Sequence, residues 1–155
     1  MKEKARGIIV FSIIVLIIDQ LIKAVLDSKM IVGQTVVVTK NFFSITLVHN
    51  IGAAFNILSG NKFLLIGIGL IATIFLVIYI FKLEVIDDFD IFTYSLLLGG
   101  IIGNLVDRIF RGYVVDYFSF NFGSYYVPVF NFADVCIVLS IICIFINTLK
   151  GDLWK

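Results

Sequence analysis

The chain has 155 residues, of which 61% are hydrophobic and 15% charged, with a formal net charge of +1 and a mean hydropathy of +1.10. A water-soluble domain runs nearer about 50% apolar and about 25% charged, and one this small leaves too much surface exposed to hide the excess, so lipid is the implied solvent. The near-zero net charge removes the electrostatic case for a nucleic-acid partner.

Lys2, Lys4 and Arg6 precede an apolar run that starts at Gly7. The run opens like a secretory signal, but it ends in Asp19, Gln20 and Lys23 with no small-x-small cleavage site. It reads as a retained span, Gly7–Val25. Asp19 and Lys23 share one helical face, acid before base. They form either an ion pair that anchors the helix at the interface or part of a polar functional site.

The segment Asp27–Asn61 follows. Within it Thr35–Val48 is rich in Val, Thr, Phe and Ile, which predicts short strands. A bare sheet edge is excluded from hydrocarbon, so these strands should cap the bundle at the membrane surface. Gly52–Leu58 is expected as a short interfacial helix. His49 is the only histidine, which excludes a zinc site of the H-E-x-x-H type. A Ser59/His49 pair is disfavoured because Leu58-Ser59-Gly60 reads as a helix end.

The second span is Phe63–Phe81, with no polar stripe, as expected of a lipid-facing helix. The third, Ile91–Phe110, turns polar in its second half. Asn104, Asp107 and Arg108 lie at helical spacing there, after Gly99, Gly100 and Gly103. The glycines serve either close helix packing or space for a substrate backbone. Arg108 keeps its charge and needs an anionic partner, for which Asp107, Asp116 and Asp134 are candidates.

The segment Arg111–Val129 holds Tyr113, Tyr117, Phe118, Phe120, Phe122, Tyr125 and Tyr126, expected as an aromatic belt at the membrane surface. Asp116 stands among Val114, Val115, Tyr117 and Phe118. The fourth span is Phe132–Leu149, with Asn131 as N-cap and Asp134 in the first turn. Cys136 and Cys143 fall on this helix, about 10 Å apart along its axis, too far to bridge.

Lys2, Lys4 and Arg6 put the N-terminus in the cytoplasm, and four spans return the C-terminus there. All the buried-range polar residues then gather toward the outer face. Ionisable groups at membrane depth default to function. Should Asp116 and Asp134 converge, one keeps a proton near neutral pH, the working state of an aspartic dyad. The competing reading is a pair of structural carboxylates in a transporter or in packing.

The motifs Asp19-Gln20-x-x-Lys23, Asn50-x-Gly52-Ala53-Ala54-Phe55, Gly99-Gly100-x-x-Gly103-Asn104-Leu105-x-Asp107-Arg108, Gly112-x-Val114-Val115-Asp116-Tyr117 and Phe130-Asn131-x-Ala133-Asp134 occur in this order across essentially the whole chain. Together they resemble the bacterial lipoprotein signal peptidase (type II signal peptidase) family. Tyr117 and Phe118 stand where aliphatic residues are also common in that family.

The resemblance implies an aspartic endopeptidase that removes the signal peptide from diacylglyceryl-modified prolipoproteins, just before the lipidated cysteine. Its catalytic pair would be Asp116 and Asp134. Asp19, Lys23, Asn50, Gly100, Asn104, Arg108, Asn131 and Ala133 would bind substrate or support the site. It also implies inhibition by globomycin and a place in the bacterial cytoplasmic membrane. No metal or cofactor is expected, and the chain is taken as one membrane-embedded domain, residues 1–155, acting as a monomer among membrane lipids.

Arg108 is expected to orient Asp116 or hold a substrate carbonyl, and Asn50, Asn104 and Asn131 to hold the substrate backbone. The fold expected is four transmembrane helices with a small extracytoplasmic β-rich cap and a short interfacial helix. The alternative function is a small proton-coupled transporter, against which stands the gathering of the polar residues at one end. A third is a non-catalytic assembly subunit.

Overall fold

A computed structural model describes residues 2–153, apart from 53–57, 84 and 124. The apolar runs form helices α1 (Lys2–Lys29), α2 (Lys62–Lys82), α3 (Asp88–Phe110) and α4 (Phe132–Leu153). Between them lie strands β1 (Thr35–Thr39), β2 (Phe43–Asn50), β3 (Val114–Phe122) and β4 (Tyr125–Tyr126). Each helix holds a stretch long and apolar enough to cross a bilayer. The four predicted spans fall inside these helices. α1 runs on to Lys29 because its polar residues find partners within the bundle rather than ending the helix. The segment Gly52–Leu58, expected as an interfacial helix, falls on residues 53–57, outside the described ones.

α3 is the central helix. Half of its apolar window is buried, against 17–22% in the other three, and it packs on α1, α2 and α4. Its glycines make that possible. A Cβ on Gly99 would lie 2.6 Å from Cβ of Val15, one on Gly100 2.7 Å from the Ala133 carbonyl oxygen, and one on Gly103 2.6 Å from the Asp19 carboxylate. The space that the sequence left open for a substrate backbone is filled by α1 and α4. This is close helix packing through small residues.

Local chemistry sets the ends of α3. Asp87 and Asp90 form a capping box, Asp90 N donating to Asp87 Oδ1 at 2.7 Å and Asp87 N to Asp90 Oδ2 at 3.1 Å. At the other end Gly112 takes φ +87° and returns its amide to the Asp107 carbonyl, which stops the helix. The faces of α2 and α4 away from α3 present Ile71, Phe75 and Phe145 outward, as a hydrocarbon solvent requires. At the end of the bundle away from the sheet, Ala5, Ile8, Leu76, Ile80, Tyr94 and Leu98 form an apolar core.

The strands form one antiparallel sheet in the order β1-β2-β3-β4. The aromatic segment expected as a surface belt is therefore a strand. Its alternate residues Phe118, Phe120 and Phe122 share one face. There Phe120 stacks on Phe43 at 4.8 Å and on Phe130 at 5.8 Å. Aromatic cross-strand pairs of this kind stabilise a sheet. β2 carries one extra residue. Ile45 pairs with Phe118 and Val48 with Asp116, so Thr46 and Leu47 face Tyr117 alone. This bulge re-aims the end of β2 and brings Asn50 beside Val114, one strand away from Asp116.

Candidate active site

Asp116 lies near the start of β3 and is 2% exposed. Alternation along the strand turns Val114 and Asp116 to a cavity and Val115 and Tyr117 to the helices. Two carboxamides hold the carboxylate. Asn50 Nδ2 donates to Oδ2 at 2.8 Å and Asn131 Nδ2 donates to Oδ1 at 2.6 Å. Burial pushes this carboxyl up to about 7, and the charge of Asp134 pushes it the same way. The two hydrogen bonds and Lys23 hold it down.

Asp134 lies in the first turn of α4. Asn131 caps that helix, accepting from Asp134 N on its Oδ1 at 3.0 Å, while its own amide donates to Asp134 Oδ2 at 3.2 Å. Asp134 Oδ1 accepts from Asn104 Nδ2 at 2.7 Å. A helix start leaves four amides without internal partners, and here all of them are bonded. Phe132 N donates to Tyr117 Oη and Ala133 N to Asp19 Oδ1, both at 3.1 Å. Asp134 N donates to Asn131 Oδ1, and the main-chain N of Asn131 to Asp134 Oδ2. The turn that carries Asp134 is thus fixed from β3, from α1 and by its own cap.

Behind this pair lies a dry ionic network. Lys23 Nζ donates to Asp19 Oδ2, Asp107 Oδ2 and Asn104 Oδ1, each at 2.9 Å, and Lys23, Asp19 and Asp107 have no exposed surface. All three ammonium donors are used. Arg111 Nη1 pairs with Asp107 Oδ1 and also donates to Gln20 Oε1 at 3.0 Å. Gln20 Nε2 donates to Asp107 and Asp19. Val115 N donates to Asp107 Oδ2, which ties the network to β3. The Asp19–Lys23 pair is therefore an interior junction of α1, α3 and β3, not an anchor at the interface. Buried charges persist only when paired and hydrogen-bonded in this way.

The two aspartates line one cavity of about 340 Å³ with Asn50, Asn104 and Arg108, closed by an apolar wall that includes Val114, Pro128, Phe130 and Ile137. Val138, also on that wall, is 55% exposed on the lipid-facing side of α4, so the cavity borders the lipid. Arg108 departs from expectation. Its Nη1 donates to the Asn104 carbonyl at 3.3 Å and its Nη2 to the Gly52 carbonyl at 3.0 Å. It forms no ion pair among the described residues, and its buried Nε has no partner among them. Asp107 is already neutralised by Lys23 and Arg111, and Asp116 is oriented by amides. The amides expected to hold a substrate backbone likewise bind carboxylates, because a buried carboxylate must be given donors. Among the described residues no acidic, histidine and cysteine cluster could hold a metal ion. His49 is engaged elsewhere, 2.6 Å from Asp27 and stacked on Tyr113 at 3.7 Å.

A family model described as signal peptidase (SPase) II matches residues 11–150. The chain belongs to the signal peptidase II family. A lipoprotein signal peptidase of Halothermothrix orenii is 41% identical over 128 residues, covering 83% of this chain and 85% of that protein. A solved structure described as a bacterial membrane enzyme, determined by the in meso method at 2.3 Å resolution, superposes with a TM-score of 0.89 at 35% identity, covering 96% of this chain and 90% of that one. A second such structure, at 1.9 Å, gives 0.83 at 36% identity, covering 92% of each chain. As a signal peptidase II, the chain is a peptide-bond hydrolase and a multi-pass membrane protein. The transporter alternative is not favoured.

In this signal peptidase II chain the residues singled out in the sequence divide by position. Asn50, Asn104, Arg108, Asp116 and Asp134 line the cavity, and Asn131 bonds both aspartates. Asp19, Lys23, Gly100 and Ala133 lie behind it, in the junction of α1, α3 and α4. Four residues of the same network were not among the expected site residues: Gln20, Asp107, Arg111 and Tyr117. Asp107 and Arg111, the residue that follows α3, stand at i, i+4 spacing, a signal present in the sequence. The capping role of Tyr117 joins β3 to α4, and no local pattern encodes it.

Proposed function

We propose that the chain is an aspartic endopeptidase that removes signal peptides from diacylglyceryl-modified bacterial prolipoproteins, cutting just before the lipidated cysteine. The observation that carries this reading is Asn131, which bonds the carboxylates of both Asp116 and Asp134 at the edge of one cavity that borders lipid. The relatives named lipoprotein signal peptidase support the substrate class.

Asp116, its carboxyl pushed up to about 7, is the protonated member. Asp134, held by Asn104 and the start of α4, is the base. Asp134 takes a proton from a water that attacks the scissile carbonyl carbon. Asp116 gives its proton to the carbonyl oxygen, forming a gem-diol. Asp134 then protonates the leaving amine as the C–N bond breaks, and Asp116 recovers its proton as the new carboxyl forms. Arg108, which lines the cavity beside both aspartates, is placed to donate a hydrogen bond to a substrate carbonyl. The apolar wall takes the signal segment, which enters sideways from the lipid past Val138.

The enzyme works in the bacterial cytoplasmic membrane with both termini cytoplasmic and the site toward the outer face. Lys2, Lys4 and Arg6 at the first span support that orientation. The chain acts as a single membrane-embedded domain and as a monomer, and globomycin blocks it. The test is cleavage of a diacylglyceryl-modified prolipoprotein in detergent by wild type, Asp116→Asn and Asp134→Asn. Both variants should bind substrate yet not cut it. Normal cutting by either one refutes the assignment.

A further inference from the structure

We infer that Tyr117 is a positioning residue: its phenol oxygen, by capping the first amide of α4, holds Asp134 in place against Asp116. The inference rests on the dyad proposed above. Tyr117 follows Asp116 on β3, and strand alternation points it away from the cavity. It is 1% exposed and is not among the cavity-lining residues. Its Oη accepts from Phe132 N at 3.1 Å.

That bond completes a zipper between the two elements that carry the aspartates. Tyr117 N and Phe118 N donate to the Phe130 carbonyl at 3.0 and 2.7 Å, and Phe130 N returns to the Phe118 carbonyl at 3.1 Å. Asn131 comes next and bonds Asp116. Tyr117 Oη then reaches one residue further, to the first turn of the helix. Without the phenol oxygen the backbone link ends at Phe130, and Phe132 N is left without its acceptor. Burial, aided by the charges of Asp19, Asp134 and Asp116, keeps the phenol protonated, so the same neutral acceptor is present throughout the working pH range.

The bond acts on geometry and not on binding. A misplacement of the order of 1 Å at a catalytic group lowers rate by up to about 100-fold. Tyr117→Phe keeps the ring and removes only the acceptor, so kcat should fall about 10- to 100-fold with KM within about twofold. The pH profile gives a second readout. Asp116 is raised by burial and by Asp134 and held down by Lys23 from α1, while Arg108 of α3 faces the same cavity. If Asp134 relaxes away, Asp116 loses that repulsion, and the alkaline limb of kcat should move toward lower pH. A fold that is merely less stable reduces the amount of active enzyme without moving the limb.

Phe132→Pro is the complementary variant. Proline is tolerated at the first helical position and removes the donor while Tyr117 stays. The experiment measures kcat, KM and the pH profile for wild type, Tyr117→Phe, Phe132→Pro and the double variant, alongside Asp116→Asn and Asp134→Asn. A double variant no worse than either single one, with the limb shifted in all three, supports the role. Wild-type kcat with an unshifted limb in Tyr117→Phe overturns it, as do fully additive losses in the double variant. Activity retained by an aspartate variant refutes the dyad itself, so the two failures are distinguishable.

Discussion

Asn131 Nδ2 stands 2.6 Å from Asp116 Oδ1, and the same residue caps the helix whose first turn carries Asp134. One amide therefore serves helix stability and carboxylate alignment at once, and the two roles separate by substitution. Asn131→Ser retains a capping oxygen but has no amide to offer Asp116. It should cost about 1–3 kcal/mol, from the donor withdrawn from a buried carboxylate rather than from the cap, and reduce kcat about 100-fold. Thermal unfolding in detergent measured beside cleavage kinetics checks this. An unchanged kcat would show that the cap alone matters.

The raised Asp116 carboxyl sets a pH dependence. Its folded value of about 7 lies above the ordinary 3.8, so between those values the folded protein holds a proton that the unfolded chain has lost. Stability should therefore fall as pH rises from about 4 to about 7, by roughly 4 kcal/mol at most. Activity should fall as Asp116 loses its proton near pH 7. In Asp116→Asn the stability slope should flatten over that window, which unfolding midpoints at a series of pH values would reveal. A wild type whose stability rises across the window would contradict the assignment.

Lys23 neutralises Asp19 and Asp107 without any contact with solvent. Removing one partner of a buried ionic group strands the other, at a cost of about 3–5 kcal/mol. Lys23→Met should lower the unfolding temperature sharply. Lys4→Met is the control, because Lys4 pairs at 3.7 Å with an Asp88 side chain that is 98% exposed; no measurable change is expected there. Equal effects of the two substitutions would mean that the network is not dry.

The glycines of the helices differ in what surrounds them. On Gly100 a Cβ would meet the Ala133 carbonyl oxygen at 2.7 Å, whereas on Gly67 it would meet nothing within 4 Å. Gly100→Ala should push α4 from α3, costing about 1–3 kcal/mol and reducing cleavage, because Asp134 rides on α4. Gly67→Ala should be neutral or stabilising by up to about 1 kcal/mol. Unfolding midpoints of the two variants, with activity for each, decide between packing and mere helix propensity.

Much of this protein was legible before its structure. Runs such as Leu64–Phe81 carry no polar stripe, so they specify lipid-facing helices by themselves. Asp116 and Asp134 stood out because a carboxylate in an apolar setting is costly unless it is used. The Val- and Thr-rich stretch Thr35–Val48 announced strands. The aromatic stretch after Arg111 did not: tyrosine and phenylalanine suit an interfacial belt and a strand equally well, and only pairing with β2 tells them apart.

Composition and motif order determined the solvent, the number of helices and the residues worth watching, because hydrophobic length and polar placement are local properties of the chain. Tertiary structure alone decided their partners. Arg108 met backbone carbonyls rather than a carboxylate, and Gly100 received Ala133 rather than a substrate. The asparagines turned to the aspartates, and Tyr117 reached across from β3 to the start of α4. A buried polar group takes whichever complementary atom packing brings within about 3 Å, and the distance along the chain between such atoms carries no information about that meeting.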